Sequence, residues 1–270
     1  CAREVREETG LIVYPVRLVG MYFQDITDGG MLLLSFRCIQ RGGEITPSPE
    51  SPLVAWFKGH QLPSPMLNFH RERIWQAFTH DGGPAIWERY HWSRLEKFGR
   101  FLVTNIVYRW KDWRRKLHGE PPYQPPPAWR TGAFTIIHNE EGQVLWVKRT
   151  DKDVWNLPGG GSELNEAPWE TAVRETREET GLNVSLTNLS SVNVYHDQPN
   201  MTFNFTAEIT NGTLTTGPEA ADFAWFTPGE EPANCVQQHV ERVADAVGSS
   251  TETIFRHQPG PEAVYAHQAK

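Results

Sequence analysis

The chain has 270 residues, enough for one or two domains with real cores, and its 39% apolar and 22% charged content is that of a globular protein. A net charge of -7 argues against general nucleic-acid affinity. Three cysteines (Cys1, Cys38 and Cys235) form neither a disulfide framework nor a zinc site, and no apolar run reaches the about 18 residues a membrane span needs.

The chain opens on Cys1 and at once enters Arg3-Glu4-Val5-Arg6-Glu7-Glu8-Thr9-Gly10-Leu11, a charged helix ending at a glycine. Apolar alternation follows at Leu18, Val19, Met21 and Phe23, and again from Met31 to Phe36, which reads as strands. Glu50 then precedes Ala55-Trp56-Phe57, read as a further strand, and a helical stretch runs from Arg71 to Phe78.

Asp81-Gly82-Gly83-Pro84 reads as a turn that starts a second helix, with His118-Gly119 as its stop. Between them Leu95, Phe98, Leu102, Ile106, Trp110, Trp113 and Leu117 recur at spacings of three and four, an amphipathic pattern over 84–118. Its end is basic, at Arg109, Lys111, Arg114, Arg115 and Lys116, which suits the helix dipole and an inter-domain role better than a nucleic-acid contact. Pro121 to Pro127 then forms a semi-rigid linker.

From Trp129 the chain becomes strand-like again, with Ala133–His138 and Gln143–Arg149 read as a hairpin around Asn139-Glu140-Glu141-Gly142. Trp155-Asn156-Leu157-Pro158 leads into Gly159, Gly160 and Gly161, then a short acidic loop, then a helix. That helix carries Arg174, Glu175, Glu178 and Glu179. At about 100° per residue the three glutamates share one face. Side by side they repel by a few tenths of a kcal/mol per pair, so the pattern calls for a cation, and Arg174 can serve only one of them.

The spacing resembles the signature of the Nudix hydrolases: Gly160, five residues, Glu166, seven residues, Arg174-Glu175, two residues, Glu178-Glu179, one residue, then Gly181-Leu182. Only Thr176 departs, standing where the family usually has an aliphatic residue. The resemblance implies an α/β/α sandwich with a mixed sheet and hydrolysis of a pyrophosphate bond in a nucleoside diphosphate linked to another group. It implies Mg²⁺ or Mn²⁺ held by Glu175, Glu178 and Glu179, with Gly159 beside them and Glu175 as ligand or water-orienting residue. Arg174 would hold Glu175, and Glu166 would steady Arg174. Gly160 and Gly161 would let the backbone approach the substrate. Glu219 is a candidate general base or extra ligand, set against an exposed loop glutamate. Arg149 is a candidate phosphate contact, set against a surface arginine. Trp155 reads as core, and His138, His196 and His239 are assigned no role.

Residues 3–11 repeat the second half of this signature, and the segments after Gly10 track those after Gly181, including Glu219 to Phe226 against Glu50 to Phe57 and a closing helix at Val236–Val247. The expected organisation is therefore two tandem copies: a truncated one at 1–80, a helical and proline-rich linker at 81–128, a complete domain at 129–248 and a mobile tail at 249–270. Segment 1–80 is expected to fold poorly when separated, and 129–250 to melt cooperatively. The expected partner is a small nucleotide-like diphosphate, with no strong nucleic-acid signal, an oligomer left open, and the cytoplasm as the location. The competing reading is a catalytically silent nucleotide-sensing module.

Overall fold

The computed structural model describes residues 1–25, 29–48, 51–92, 99, 110, 113, 116, 128–196, 198–248 and 251–259. It is a mixed α/β structure whose two halves share a core.

In the N-terminal half, helix α1 (Ala2–Thr9) ends on Gly10 in the left-handed region, where its N–H bonds to Arg6. Strands β1 (Ile12–Gln24) and β2 (Met31–Gly42) form a long antiparallel pair. Helix α2 (Asn68–Thr79) then leads to β3 (Ile86–Tyr90), which lies parallel to β1. Residues 86–90 are thus a sheet strand and not part of a linker helix. Trp87 explains why: it packs edge to face on Phe205, so this segment is drawn into the core. The rest of the helix expected over 84–118 lies outside the described residues, apart from Gly99, Trp110, Trp113 and Lys116, all helical. The proline linker lies outside them too.

The C-terminal half holds β4 (Arg130–Ile137), β5 (Val144–Arg149), β6 (Trp155–Asn156), β7 (Gly159–Gly161), α3 (Pro168–Thr180), β8 (Leu182–Tyr195), β9 (Asn200–Gly212), β10 (Ala220–Phe226), α4 (Gln237–Gly248) and β11 (Ile254–Gln258). Two sheets result, a mixed one ordered β11-β8-β9-β4-β7 and an antiparallel one ordered β10-β5-β6. The expected hairpin of β4 and β5 survives only as a bridge between His138 and Val144. Beyond it the strands diverge, because β4 pairs with β9 and β7 while β5 pairs with β10 and β6. The tail also departs from expectation: Ile254–Gln258 runs parallel to β8 instead of being loose.

The two halves share several local features. Gly181 ends α3 in the same left-handed conformation as Gly10, φ 76° against 77°. The threonine before each glycine bonds back into its helix, Thr9 Oγ1 to Val5 O and Thr180 Oγ1 to Thr176 O. The same threonines accept from Thr46 N–H and Thr215 N–H across the hairpin. Strands β3 and β11 begin their parallel pairing at Gly20 and Ser191, each ten positions beyond the capping glycine. One correspondence fails. Ala55–Phe57 forms no strand and Trp56 and Phe57 are exposed, whereas Ala224–Phe226 lies in β10 against β5. Among the described residues, no strand plays the part of β5 beside Ala55–Phe57, so this backbone has no ladder to join.

Leu18, Met21 and Ala85 of the first half are buried with Ala133, Ala172, Leu189, Val192, Phe203 and Phe205 of the second. This cluster is shared between the halves, which bears on the expectations that 1–80 folds poorly when separated and that 129–250 melts cooperatively. A second cluster, around Trp146, Leu157 and Val243, lies under α4. Trp155 belongs to it, edge to face with Phe226 at 5.4 Å, in the structural role expected of it.

Candidate active site

The site forms where the glycine strand β7 meets α3. Proline at the first turn, Glu170 bonding back to Ala167 N–H, and Gly181 at the far end fix the limits of α3. Its buried face, Thr171, Ala172, Thr176 and Thr180, lies toward β4 and β8. The charged face is thereby turned to β7.

Arg174 is the hub. Its Nε and Nη2 donate to the two oxygens of Glu166 at 2.7 and 2.8 Å, and Nη1 donates to Glu175 at 2.8 Å and Glu178 at 3.0 Å. Nη2 also donates to the carbonyl of Gly161 at 3.1 Å, so Gly161 serves the arginine. Glu166 is held further by Thr171 Oγ1 and Glu163 N–H, both at 2.9 Å. Burial opposes ionisation of Glu166, yet these hydrogen bonds, Arg174 foremost, keep its carboxyl below the usual range. Glu166 in turn is the main reason the Arg174 guanidinium holds its proton more firmly than usual.

Glu175 lies under Gly160 so closely that a Cβ there would stand 2.7 Å from its carboxylate. Gly159, at φ 144°, donates its N–H to Glu179 Oε2 at 2.9 Å. Burial pushes Glu179 up to about 7 and also raises Glu175; the neighbouring charge of Glu219 acts on both in the same direction. Glu219 is exposed immediately before β10. The structure thus brings together Glu166, Arg174, Glu175, Glu178, Glu179, Glu219 and the three glycines. Arg149 lies nearby but grips Asp151 with Nε at 2.7 Å and Nη2 at 2.8 Å.

These donors are hard oxygens, which fit Mg²⁺ or Mn²⁺ better than zinc. Crowding of anions against a buried carboxyl of raised pKa is what a cation would relieve. Among the described residues no three acidic, histidine or cysteine side chains already form a ready metal cage. Glu178, paired with Arg174, would have to exchange that partner for the ion.

On its other side β7 borders a cavity of about 1030 Å³, which Arg149, Glu166 and His239 also line. His239, to which the sequence assigns no role, is among them. It is buried, its Nδ1 accepts from Leu157 N–H at 2.9 Å, and burial drives its pKa well below the ordinary value. A neutral ring accepting at Nδ1 carries its proton on Nε2. No local spacing signals this role, because Leu157 and His239 are 82 positions apart.

The NUDIX domain family model matches residues 128–245. A putative 8-oxo-dGTP diphosphatase of Bacillus subtilis is 38% identical over 120 residues, covering 42% of this chain and 77% of that protein. A MutT-like protein of Streptomyces ambofaciens is 28% identical over 132 residues, 49% of this chain and 86% of the relative. A solved ADP-ribose pyrophosphatase from Streptococcus suis superposes with a TM-score of 0.41 at 18% identity, over 48% of this chain and all of that one, a likeness too distant to carry argument.

Proposed function

Because the chain belongs to the Nudix family, we propose that it hydrolyses a pyrophosphate bond in a nucleoside diphosphate linked to another group, with Glu175, Glu178 and Glu179 holding Mg²⁺ or Mn²⁺. The observation that carries this reading is the position of Arg174, which ties Glu166 to Glu175 beneath the glycine strand while Glu179 and Glu219 face the same space. A bound divalent ion supplies positive charge against the phosphate oxygens. The chain's own residues do the rest. Gly160 leaves room for Glu175, and Arg174 fixes that carboxylate's orientation. Water attacks phosphorus, the bridging P–O bond breaks, and the proton passes to a carboxylate. Glu175, of raised pKa, and Glu219 are the candidates to accept it.

The relative named as an 8-oxo-dGTP diphosphatase supports a nucleotide as the substrate class. Three free thiols fit a reducing compartment such as the cytoplasm. No helix among the described residues is long and apolar enough to cross a membrane.

The local features shared by the two halves support reading the first as a second, partial Nudix copy. Arg3 pairs with Glu4 and Glu7 as Arg174 pairs with Glu175 and Glu178. The glycine strand, Glu166, Arg174 and the three glutamates come together in the second half, and catalysis is assigned there.

The test is release of monophosphate or orthophosphate from a panel of nucleotides with Mg²⁺, before and after Glu178→Gln. A drop of about 100-fold or more is expected. Undiminished turnover would overturn the assignment.

A further inference from the structure

The cavity beside β7 has walls of different character. The second half contributes its polar groups, among them Arg149, His239 and Glu166. The first half contributes Met31, Leu32 and Leu34, from the start of β2, and Phe23, from the end of β1. These four carry no charge and no strong hydrogen-bonding side-chain group, so they cannot hold a phosphate. They suit a flat apolar group attached to one.

This wall is fixed in place. Arg89, on β3, donates Nε to Glu170 Oε1 at 2.8 Å and Nη2 to Asn165 O at 3.0 Å, and also pairs with Asp25. Its guanidinium stacks 4.7 Å from the Phe23 ring. Phe23 and Asp25, at the end of β1, are thus joined through one arginine to the loop that carries Glu166. Met31 pairs with Gln24 across the hairpin, and at 36% exposure it is the most exposed of the four. Trp129, half exposed, lines the same cavity from the second half.

We propose that the start of β2 in the N-terminal half is part of the substrate site of the C-terminal half: Met31, with Trp129 lining the same cavity, forms an apolar surface for the base of the nucleotide, while the glycine strand takes the diphosphate. This rests on the hydrolytic reading above and adds a specificity role to the N-terminal half. Met31 is a specificity residue in this scheme and takes no part in bond breaking.

The experiment measures binding to the full chain by calorimetry with Mg²⁺, using α,β-methylene ADP, α,β-methylene GDP and inorganic pyrophosphate. Wild type is expected to bind at least one methylene analogue about tenfold or more tighter than pyrophosphate. Met31→Ser should remove most of that preference, by about five- to tenfold, with pyrophosphate binding and melting temperature unchanged, and Met31→Leu should retain it. Preference undiminished in Met31→Ser, or absent in wild type, overturns the proposal. The hydrolytic reading fails separately, by undiminished turnover in Glu178→Gln, since that variant leaves the platform untouched.

Discussion

Arg89 and Glu170 form a two-point ion pair between β3 of the first half and the first turn of α3. Both side chains are largely shielded, at 20% and 38% exposure. Glu170 also accepts Ala167 N–H, so this contact and the helix cap share one carboxylate.

Removing Arg89 should therefore destabilise the chain and disturb the loop at Asn165. For Arg89→Met we expect a loss of about 1–3 kcal/mol by chemical denaturation. In a double-mutant cycle with Glu170→Gln, a coupling of about 1 kcal/mol or more is expected. Additive losses would show that the pair contributes no direct coupling.

Arg174 should matter more to turnover than its neighbour Arg177, which lies on the same helix but is exposed. Arg174→Ala leaves Glu175 without its cation and Glu166 without its main partner. A fall in kcat of about 100-fold is expected, against less than about threefold for Arg177→Ala. Equal effects would remove Arg174 from the positioning role.

Glu179 gives a pH dependence whose sign can be stated. Its folded pKa, pushed up to about 7, lies above the value near 4.3 of an unfolded chain. The folded state then holds the proton more tightly, so this group's contribution is fully present at low pH and is lost as pH rises through about 4.5 to 7. In chelator, wild type should lose on the order of 2–3 kcal/mol relative to Glu179→Gln between pH 5 and 7.5. Adding Mg²⁺ at pH 7.5 should stabilise wild type more than the variant. Parallel melting curves for the two proteins at all pH values would refute this.

Gly160→Ala should fold and fail to turn over. The added Cβ would stand against the Glu175 carboxylate, which must then leave Arg174. A loss of kcat of about 10- to 100-fold with a near-normal melting temperature is expected. Wild-type turnover would mean that Glu175 can move aside without cost.

The departure at Thr176 can be tested in the same way. Its hydroxyl donates to Ala172 O and shares a 2.7 Å hydrogen bond with Thr135, both residues fully buried. Thr176→Val should cost about 1 kcal/mol by stranding Thr135, and the double change with Thr135→Val should recover most of that loss. A single variant as stable as wild type would make the pair irrelevant.

The site was legible where its chemistry is local. Glu166, Arg174, Glu175, Glu178 and Glu179 lie within one loop and helix, and helical periodicity alone puts the last three on one face. Gly159, Gly160 and Gly161 were legible as a close approach of backbone, though only the structure shows that Gly160 makes room for Glu175. The mixed α/β class was legible through the resemblance of the glycine-and-glutamate signature, and several strands through alternation. What escaped were long-range pairings. Nothing near Ile86 or Ile254 announces a parallel partner in β1 or β8, and Arg89 reads as one more surface charge until the fold brings it to Glu170, 81 positions away. His239 escaped for the same reason.

The common core has a consequence for how the chain can change. Leu18 and Met21 lie against Phe203 and Phe205, so trimming the protein to the segment that matches the family model would strip the cover from an aromatic surface. Such a piece is expected to aggregate rather than report a minimal enzyme. A substitution in the first half can likewise surface as a catalytic phenotype in the second. Packing makes the two halves one mechanical unit, with the carboxylate cluster of the second half resting on side chains of the first.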